Sequence, residues 1–307
     1  MTETPAMTEV QIVARAKINL YLAVGQRCED GYHEVSSVMQ SVDLADTLVV
    51  RPASAASNGS PVAFARGPGF AGELPSPPDL VERALTLYAT EVDGAGRLAA
   101  EVTKSIPLAA GLAGGSADAA AALLGADTAG GGQVTRDRLE AMARRLGSDV
   151  PFCLRGGTAL VQGTGSLVTP MACPHRLWWV LGISDFPLSA GDVYRHFDEV
   201  SPALPGRPER PIQLSRALVS GHPKLIAKAL RNDLEPAAFD LAPSLSGHKH
   251  AMRALGAVGV VLSGSGPTIA GLCRDEAHAE EVARRAEDAF ARVEIVASAE
   301  AGAEVIG

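Results

Sequence analysis

The sequence predicts an α+β fold in two domains, an N-terminal α/β sandwich over residues 1–172 and a C-terminal ferredoxin-like domain over residues 173–307. Three observations carry this. Short apolar strands and helical stretches are mixed without a regular βαβ repeat. One apolar strand leaves at Ile106-Pro107 into a glycine-rich loop that becomes an alanine-rich helix. The later half returns to a β-α-β pattern, the character of a ferredoxin-like unit. A chain of 307 residues is long enough for two domains, and 47% hydrophobic residues can fill their cores.

The elements follow in order. Residues 10–24 read as a strand, because Ile12, Ile18, Leu20, Leu22 and Val24 largely alternate. Glu29-Asp30-Gly31-Tyr32 is a turn signal, followed by short apolar segments over 35–45 and 47–51. Residues 52–78, rich in Gly, Pro, Ser and Ala, read as loops around a short strand at 62–65. Leu80, Ala84, Leu87, Tyr88 and Glu91 have helical spacing over 79–92, and 98–103 is a strand. A helix is expected over 116–125, ending before Gly130-Gly131-Gly132, and Thr135 caps another over 136–146. Gly147-Ser148-Asp149-Val150-Pro151-Phe152 is a tight connection to a strand at 158–162.

In the second half, 178–183 is a buried strand, 189–199 a short helix and 202–211 a proline-rich loop. Helices are expected over 223–232 and 245–255. Strands at 258–262 and 268–272 flank Ser263-Gly264-Ser265-Gly266-Pro267, and a helix over 276–291 precedes a last strand at 293–297.

A net charge of -8 and a pI of about 5.4 argue against coating nucleic acid or anionic membrane. Cys28, Cys153, Cys173 and Cys273 are spread along the chain, with no C-x-x-C and no histidine pair at metal spacing. Neither a zinc site nor a disulfide framework is indicated. Residues 1–10 are polar and acidic, unlike a signal peptide, and the longest strongly apolar run, 177–183, is too short to span a bilayer. The expectation is a cytoplasmic protein, a monomer or weak homodimer, with no nucleic-acid or membrane partner.

Four segments carry the chemistry. In Pro107-Leu108-Ala109-Ala110-Gly111-Leu112-Ala113-Gly114-Gly115-Ser116-Ala117, glycines let the backbone approach a ligand, and a helix start offers unpaired N–H groups and a positive dipole end. That combination suits phosphate. Ser116 either caps the helix or turns its hydroxyl toward a phosphate or metal. No lysine follows as in a Walker loop, and the glycine spacing is not that of a dinucleotide fingerprint. The second segment, Ala16-Lys17-Ile18-Asn19-Leu20, puts a lysine inside an apolar strand; taken alone it reads as an edge lysine reaching water. The third, Gly147-Ser148-Asp149-Val150-Pro151, reads alone as a helix-ending turn, and the fourth, Leu262-Ser263-Gly264-Ser265-Gly266-Pro267-Thr268, as a tight hairpin.

Together and in this order, the three glycine-bearing segments resemble the galactokinase, homoserine kinase, mevalonate kinase and phosphomevalonate kinase (GHMP) superfamily over nearly the whole chain. Within it, Ala16-Lys17-Ile18-Asn19-Leu20, Asp30-Gly31-Tyr32-His33, the Gly147 to Phe152 segment and Asn232-Asp233-Leu234-Glu235 resemble the 4-diphosphocytidyl-2-C-methyl-D-erythritol kinases.

The resemblance implies the two-domain GHMP kinase fold, ATP with Mg²⁺, and transfer of the γ-phosphoryl to a tertiary hydroxyl of a small cytidine diphosphate substrate in non-mevalonate isoprenoid synthesis. Asp149 would accept or orient the hydroxyl proton. Lys17 would keep Asp149 ionised and stabilise developing charge. The 107–117 segment would wrap the ATP phosphates, and Ser116 would contact the metal. Tyr32 would stack on cytosine and His33 bond its edge, with Tyr194 on the other face and Ser189 nearby. Asn19 would orient the substrate's polar groups, and Gly264, Ser265 and Gly266 would shape the pocket behind the phosphate loop.

Two departures stand out. Ala110 and Ala113 replace glycines common in relatives and imply a stiffer loop, and Asp79 stands where relatives often read adenine with asparagine. The alternatives are another GHMP small-molecule kinase, mevalonate- or homoserine-like, or a non-catalytic nucleotide-binding regulator. The latter would be marked by loss of the Lys17–Asp149 pair.

Overall fold

Two long antiparallel strands, β1 (Val10–Arg27) and β2 (His33–Pro52), organise the larger sheet. The computed structural model describes residues 8–29, 31–53, 60–76, 78–201 and 206–306. Asp30, and parts of the two loops expected over 52–78 and 202–211, lie outside those residues. After β2 come β3 (Val62–Arg66), α1 (Leu80–Glu91), β4 (Leu98–Lys104), α2 (Gly114–Ala129), α3 (Arg136–Leu146), α4 (Val150–Arg155), β5 (Thr158–Gly163) and β6 (Leu167–Pro170). The second half adds β7 (Trp178–Ile183), α5 (Ala190–Val200), α6 (Ile212–Ser220), α7 (Pro223–Ala229), β8 (Arg231–Asn232), α8 (Glu235–Leu241), α9 (Ser244–Ala254), β9 (Gly259–Leu262), β10 (Ile269–Cys273), α10 (Glu276–Ala286), β11 (Arg292–Ala297) and β12 (Ala303–Val305).

The larger sheet runs β12-β1-β2-β4-β3, with β5 and β6 continuing from β2, and β8 lying parallel to β1. The smaller sheet runs β11-β7-β10-β9, all antiparallel. Period-two alternation makes β7 serve two cores. Trp179, Leu181 and Ile183 join the core under the first sheet, while Val180 joins a second core with residues of α9 and α10.

Helix α2 is the central support. Its alanines are buried on nearly every side, and a β-carbon on Gly125 would lie 2.6 Å from Ile12 and 2.7 Å from Val50. Small residues thus let the helix sit directly on β1 and β2. No helix among the described residues is long and apolar enough to cross a membrane.

The structure differs from the sequence expectations where distant contacts override local pattern. The two segments at 35–45 and 47–51 are one strand, held along its length by β1 on one side and by β4 and β5 on the other. The connection at 147–152 winds into α4, which Pro151 starts well because its ring fixes a helical φ. The helix expected over 223–232 stops at Ala229; Leu230 is extended, and Arg231–Asn232 pair with β1. The helix expected over 276–291 ends at Ala286. Helices α6 and α8 and strands β6 and β12 lie outside the expected elements, although Leu214, Ala217 and Leu218 of α6 have helical spacing. Strand β12 brings the chain end back beside β1.

Candidate active site

Alternation along β1 sends Ala16, Ile18 and Leu20 into the core and Lys17 and Asn19 to the opposite face. The register slips between Arg15 and Lys17, an irregularity of the kind that re-aims a side chain. The Lys17 ammonium is buried and donates to Asn19 Oδ1 at 2.6 Å and to the Gly111 carbonyl at 3.0 Å. Asp149 Oδ2 stands 3.6 Å away. A buried ammonium needs such partners, because desolvation without them is costly. Asn19 also donates to Ser37 Oγ at 2.9 Å. Both ends of its amide are therefore engaged by protein, and Asn19, expected to orient substrate, lines the cleft while holding the lysine.

Asp149 precedes α4, its carboxylate makes no capping bond there, and it opens onto the cleft. The cleft encloses about 850 Å³. Lys17, Asn19, Tyr32, His33, Ser189, Tyr194, Gly264 and Ser265 line it, as do Pro107, Leu108, Ala109, Ala110, Gly111, Ala113, Gly114, Gly115 and Ser116. Three expected residues do not. Leu112 and Ala117 point into the core, each only 1% exposed, the first from the loop and the second from the buried face of α2. Gly266 packs on Leu262.

The loop's shape rests on three left-handed residues, Ala109, Gly111 and Ala113. Two are alanines, for which this conformation costs about 1–2 kcal/mol, so the surroundings hold the loop strained and rigid. Ala113, not Ser116, occupies the cap position of α2 and offers no side-chain cap. Ser116 sits in the first helical turn facing the cleft. Of its two open roles, capping is excluded. A β-carbon on Gly111 would lie 2.2 Å from the Ser263 carbonyl oxygen, and Ser263 Oγ donates back to the Gly111 carbonyl at 3.0 Å. The 263–266 turn thus seats the phosphate loop. A β-carbon on Gly264, itself left-handed, would lie 3.3 Å from Lys17 Nζ.

The Asn232 to Glu235 motif explains what holds that turn. Asn232 donates to the carbonyls of Leu262 at 2.8 Å and Gly264 at 2.6 Å, and Glu235 Oε1 accepts the Leu262 amide at 3.0 Å. Asp79 is not among the residues lining the cleft, and its Oδ1 caps α1, accepting from the amides of Val81 at 2.7 Å and Glu82 at 3.0 Å.

At the far end of the cleft, His33 starts β2 and is 6% exposed. Its Nε2 lies 2.7 Å from Asp198 Oδ1, and its ring stacks on Tyr194 with centroids 5.3 Å apart. Tyr194 therefore backs the histidine. Burial pushes the Tyr194 hydroxyl pKa up, and the Asp149 charge adds to this. Ser189 caps α5, accepting the Asp192 amide at 3.3 Å. Tyr32 is 63% exposed at the rim, which excludes a core role. Sequence reasoning missed Asp198 and the exposed guanidiniums of Arg27 and Arg195, which also line the cleft. Asp198 and Arg195 lie on the helix that carries Tyr194, so that helix held the signal.

The family model described as the GHMP kinases N terminal domain matches residues 79–157, and that described as GHMP kinases C terminal matches residues 214–292. A 4-diphosphocytidyl-2-C-methyl-D-erythritol kinase of Nocardioides sp. is 42% identical over 275 residues, covering 88% of this chain and 90% of its own. One from Thermobifida fusca is 40% identical over 281 residues, covering 91% of each. A crystal structure of 4-(cytidine 5'-diphospho)-2C-methyl-D-erythritol kinase superposes with a TM-score of 0.76 at 34% identity, covering 94% of this chain and 98% of that one. Mevalonate kinase of L. major shares the fold, with a TM-score of 0.73 at 14% identity over 98% and 99% of the two chains.

Proposed function

The chain belongs to the 4-diphosphocytidyl-2-C-methyl-D-erythritol kinase family of the GHMP kinases, and on that premise we propose how its own residues perform the transfer. The reaction is ATP-dependent phosphorylation of the tertiary 2-hydroxyl of the methylerythritol unit, a step of isoprenoid synthesis. The observation that carries the site is Lys17 Nζ, 3.6 Å from Asp149 Oδ2, set between the phosphate loop and the His33–Tyr194 wall.

Asp149 orients the substrate hydroxyl and takes its proton. The hydroxyl oxygen forms a bond to the γ-phosphorus as the bond from that phosphorus to the β,γ-bridging oxygen breaks, releasing ADP. Lys17, held by Asn19 and Gly111, offsets charge on the carboxylate and the transferring group. Positioning and charge stabilisation dominate phosphoryl transfer, so a carboxylate is base enough. The amides at the start of α2 and the strained loop hold the triphosphate. Among the described residues no cluster of three or more His, Cys, Asp or Glu could hold a metal alone. The Ser116 hydroxyl is a hard oxygen donor facing the cleft. Together with waters and phosphate oxygens it would hold Mg²⁺, which would neutralise phosphate charge.

The base end has a donor–acceptor logic. A carboxylate only accepts, so the Nε2 hydrogen of His33 points to Asp198, and in that neutral tautomer Nδ1 is left an acceptor. An acceptor suits the amino group of cytosine and not the carbonyl of uracil. Tyr32 stacks on the base from the rim. The halves meet here. Lys17, the loop and Asp149 precede residue 172, whereas Ser189, Tyr194, Gly264 and Ser265 follow it.

A coupled ADP-release assay tests the reading, comparing the cytidyl substrate with mevalonate and homoserine. Turnover only with the cytidyl substrate is expected. Comparable turnover with either alternative would overturn it.

A further inference from the structure

Three charged side chains outside the reacting groups are buried beneath the phosphate loop. Lys104 ends β4 and is 0% exposed; its ammonium donates to Asp46 of β2 and, at 2.5 Å, to Oδ2 of Asp118 in α2. Asp46 and Asp118 are equally hidden, at 0% and 2%. Asp46 Oδ1 also accepts the amides of Ser105 at 2.5 Å and Ile106 at 2.8 Å, the two residues that lead into the loop. A β-carbon on Gly114, the first residue of α2, would come within 3.5 Å of the Lys104 ammonium. The three groups therefore grip the chain just before the loop and again just after it.

We propose that Asp46, Lys104 and Asp118 form a clasp of positioning residues that fixes the two ends of the phosphate loop, and so sets the affinity for ATP without taking part in the transfer. This rests on the reading of the loop as the ATP site. Ala109 and Ala113 are held left-handed, which requires that the surroundings fix the loop's ends. Among the described residues, Asp118 Oδ1 has no partner, and two carboxylates face one ammonium.

The test compares Asp118→Ala, Asp118→Asn and Lys104→Arg in steady-state kinetics with ATP and the cytidyl substrate varied separately, alongside thermal melting. Asp118→Ala leaves a buried ammonium short of a partner and should raise KM for ATP about tenfold or more. KM for the cytidyl substrate should stay within about twofold, because only the loop is released. Asp118→Asn keeps the shape and, in its amide oxygen, an acceptor for the Lys104 ammonium, and should recover most of the loss. If Asp118→Ala does not fold, Lys104→Arg takes its place. Its longer planar head misfits the pocket and should raise KM for ATP at least about threefold over Asp118→Asn. Equal damage to both KM values, no change in either, or Asp118→Asn as damaging as Asp118→Ala (or as Lys104→Arg) overturns the clasp. A Gly115→Val variant separates this from failure of the ATP-site reading. If it abolishes ATP binding while the Asp118 and Lys104 variants leave KM for ATP untouched, the site stands and the clasp falls. If it also leaves ATP binding intact, the site reading falls.

Discussion

Gly111 and Ser263 are apposed so closely that a β-carbon on the glycine would lie 2.2 Å from the serine carbonyl oxygen. Gly111→Ala must move either the phosphate loop or the 263–266 turn, and it also puts a side chain at a φ of 75°. The strained φ alone costs about 1–2 kcal/mol. We expect a lower melting temperature and a higher KM for ATP, together with a lower kcat because the same turn backs Lys17. A variant with native melting and native kcat would show that the two segments are not mechanically joined.

Asp149→Asn should leave both substrates bound but lower kcat roughly a hundredfold or more, as expected on losing a positioned proton acceptor. Its carboxylate is 28% exposed and caps nothing, so folding should be little affected. Near-native kcat in a folded preparation removes Asp149 from the transfer step.

Gly114 and Gly115 are neighbours with opposite tolerances. A β-carbon on Gly114 would meet Ile106 at 3.0 Å, whereas one on Gly115 meets nothing nearer than Leu80 at 3.8 Å. Gly114→Val should lower the melting temperature. Gly115→Val should leave melting nearly unchanged and abolish ATP binding measured by calorimetry, since its side chain would occupy the phosphate cradle. Tight ATP binding by Gly115→Val would place the triphosphate elsewhere.

Tyr32→Ala should weaken the cytidyl substrate about ten- to a hundredfold, because stacking on a base is worth about 1–3 kcal/mol. The ATP KM and the melting temperature should hardly change for a side chain 63% exposed. Asp198→Asn frees His33 to take either tautomer and should narrow the preference for cytidine over a uridine analogue. An unaltered preference would separate the His33–Asp198 bond from base selection.

His196 bridges α5 to Asp240 of α8, with Glu199 beside it. The Glu199 hydrogen bond raises its pKa above the ordinary 6.5, with Asp240 adding. A raised folded pKa contributes stability that is complete below the unfolded value and is lost as pH rises through the folded one. From about pH 6 upward through the folded value, the native melting temperature should fall relative to that of His196→Gln, with the difference shrinking in high salt. A pH-independent difference between the two proteins would mean that the bridge is not charged.

The sequence by itself determined the local chemistry. Period-two alternation sets Lys17 and Asn19 on one face of β1, and a glycine-rich loop opening a helix offers backbone amides that suit phosphate. The Asp-Gly-Tyr-His and Gly-Ser-Asp-Val-Pro-Phe elements then identify the family. Only the tertiary structure decided which distant segments meet. Periodicity reports which face of an element is apolar but not what covers it. Hence Gly111 against Ser263, Asn232 under the 262–264 turn and His33 against Asp198 were not legible. Lys104 and Asp118 are the clearest case. Nothing local marks a lysine ending a strand or an aspartate in an alanine-rich helix for burial, because burying either alone is costly. Each is buried here because β2, β4 and α2 bring their opposite charges together at one point, a condition that no stretch of local sequence contains.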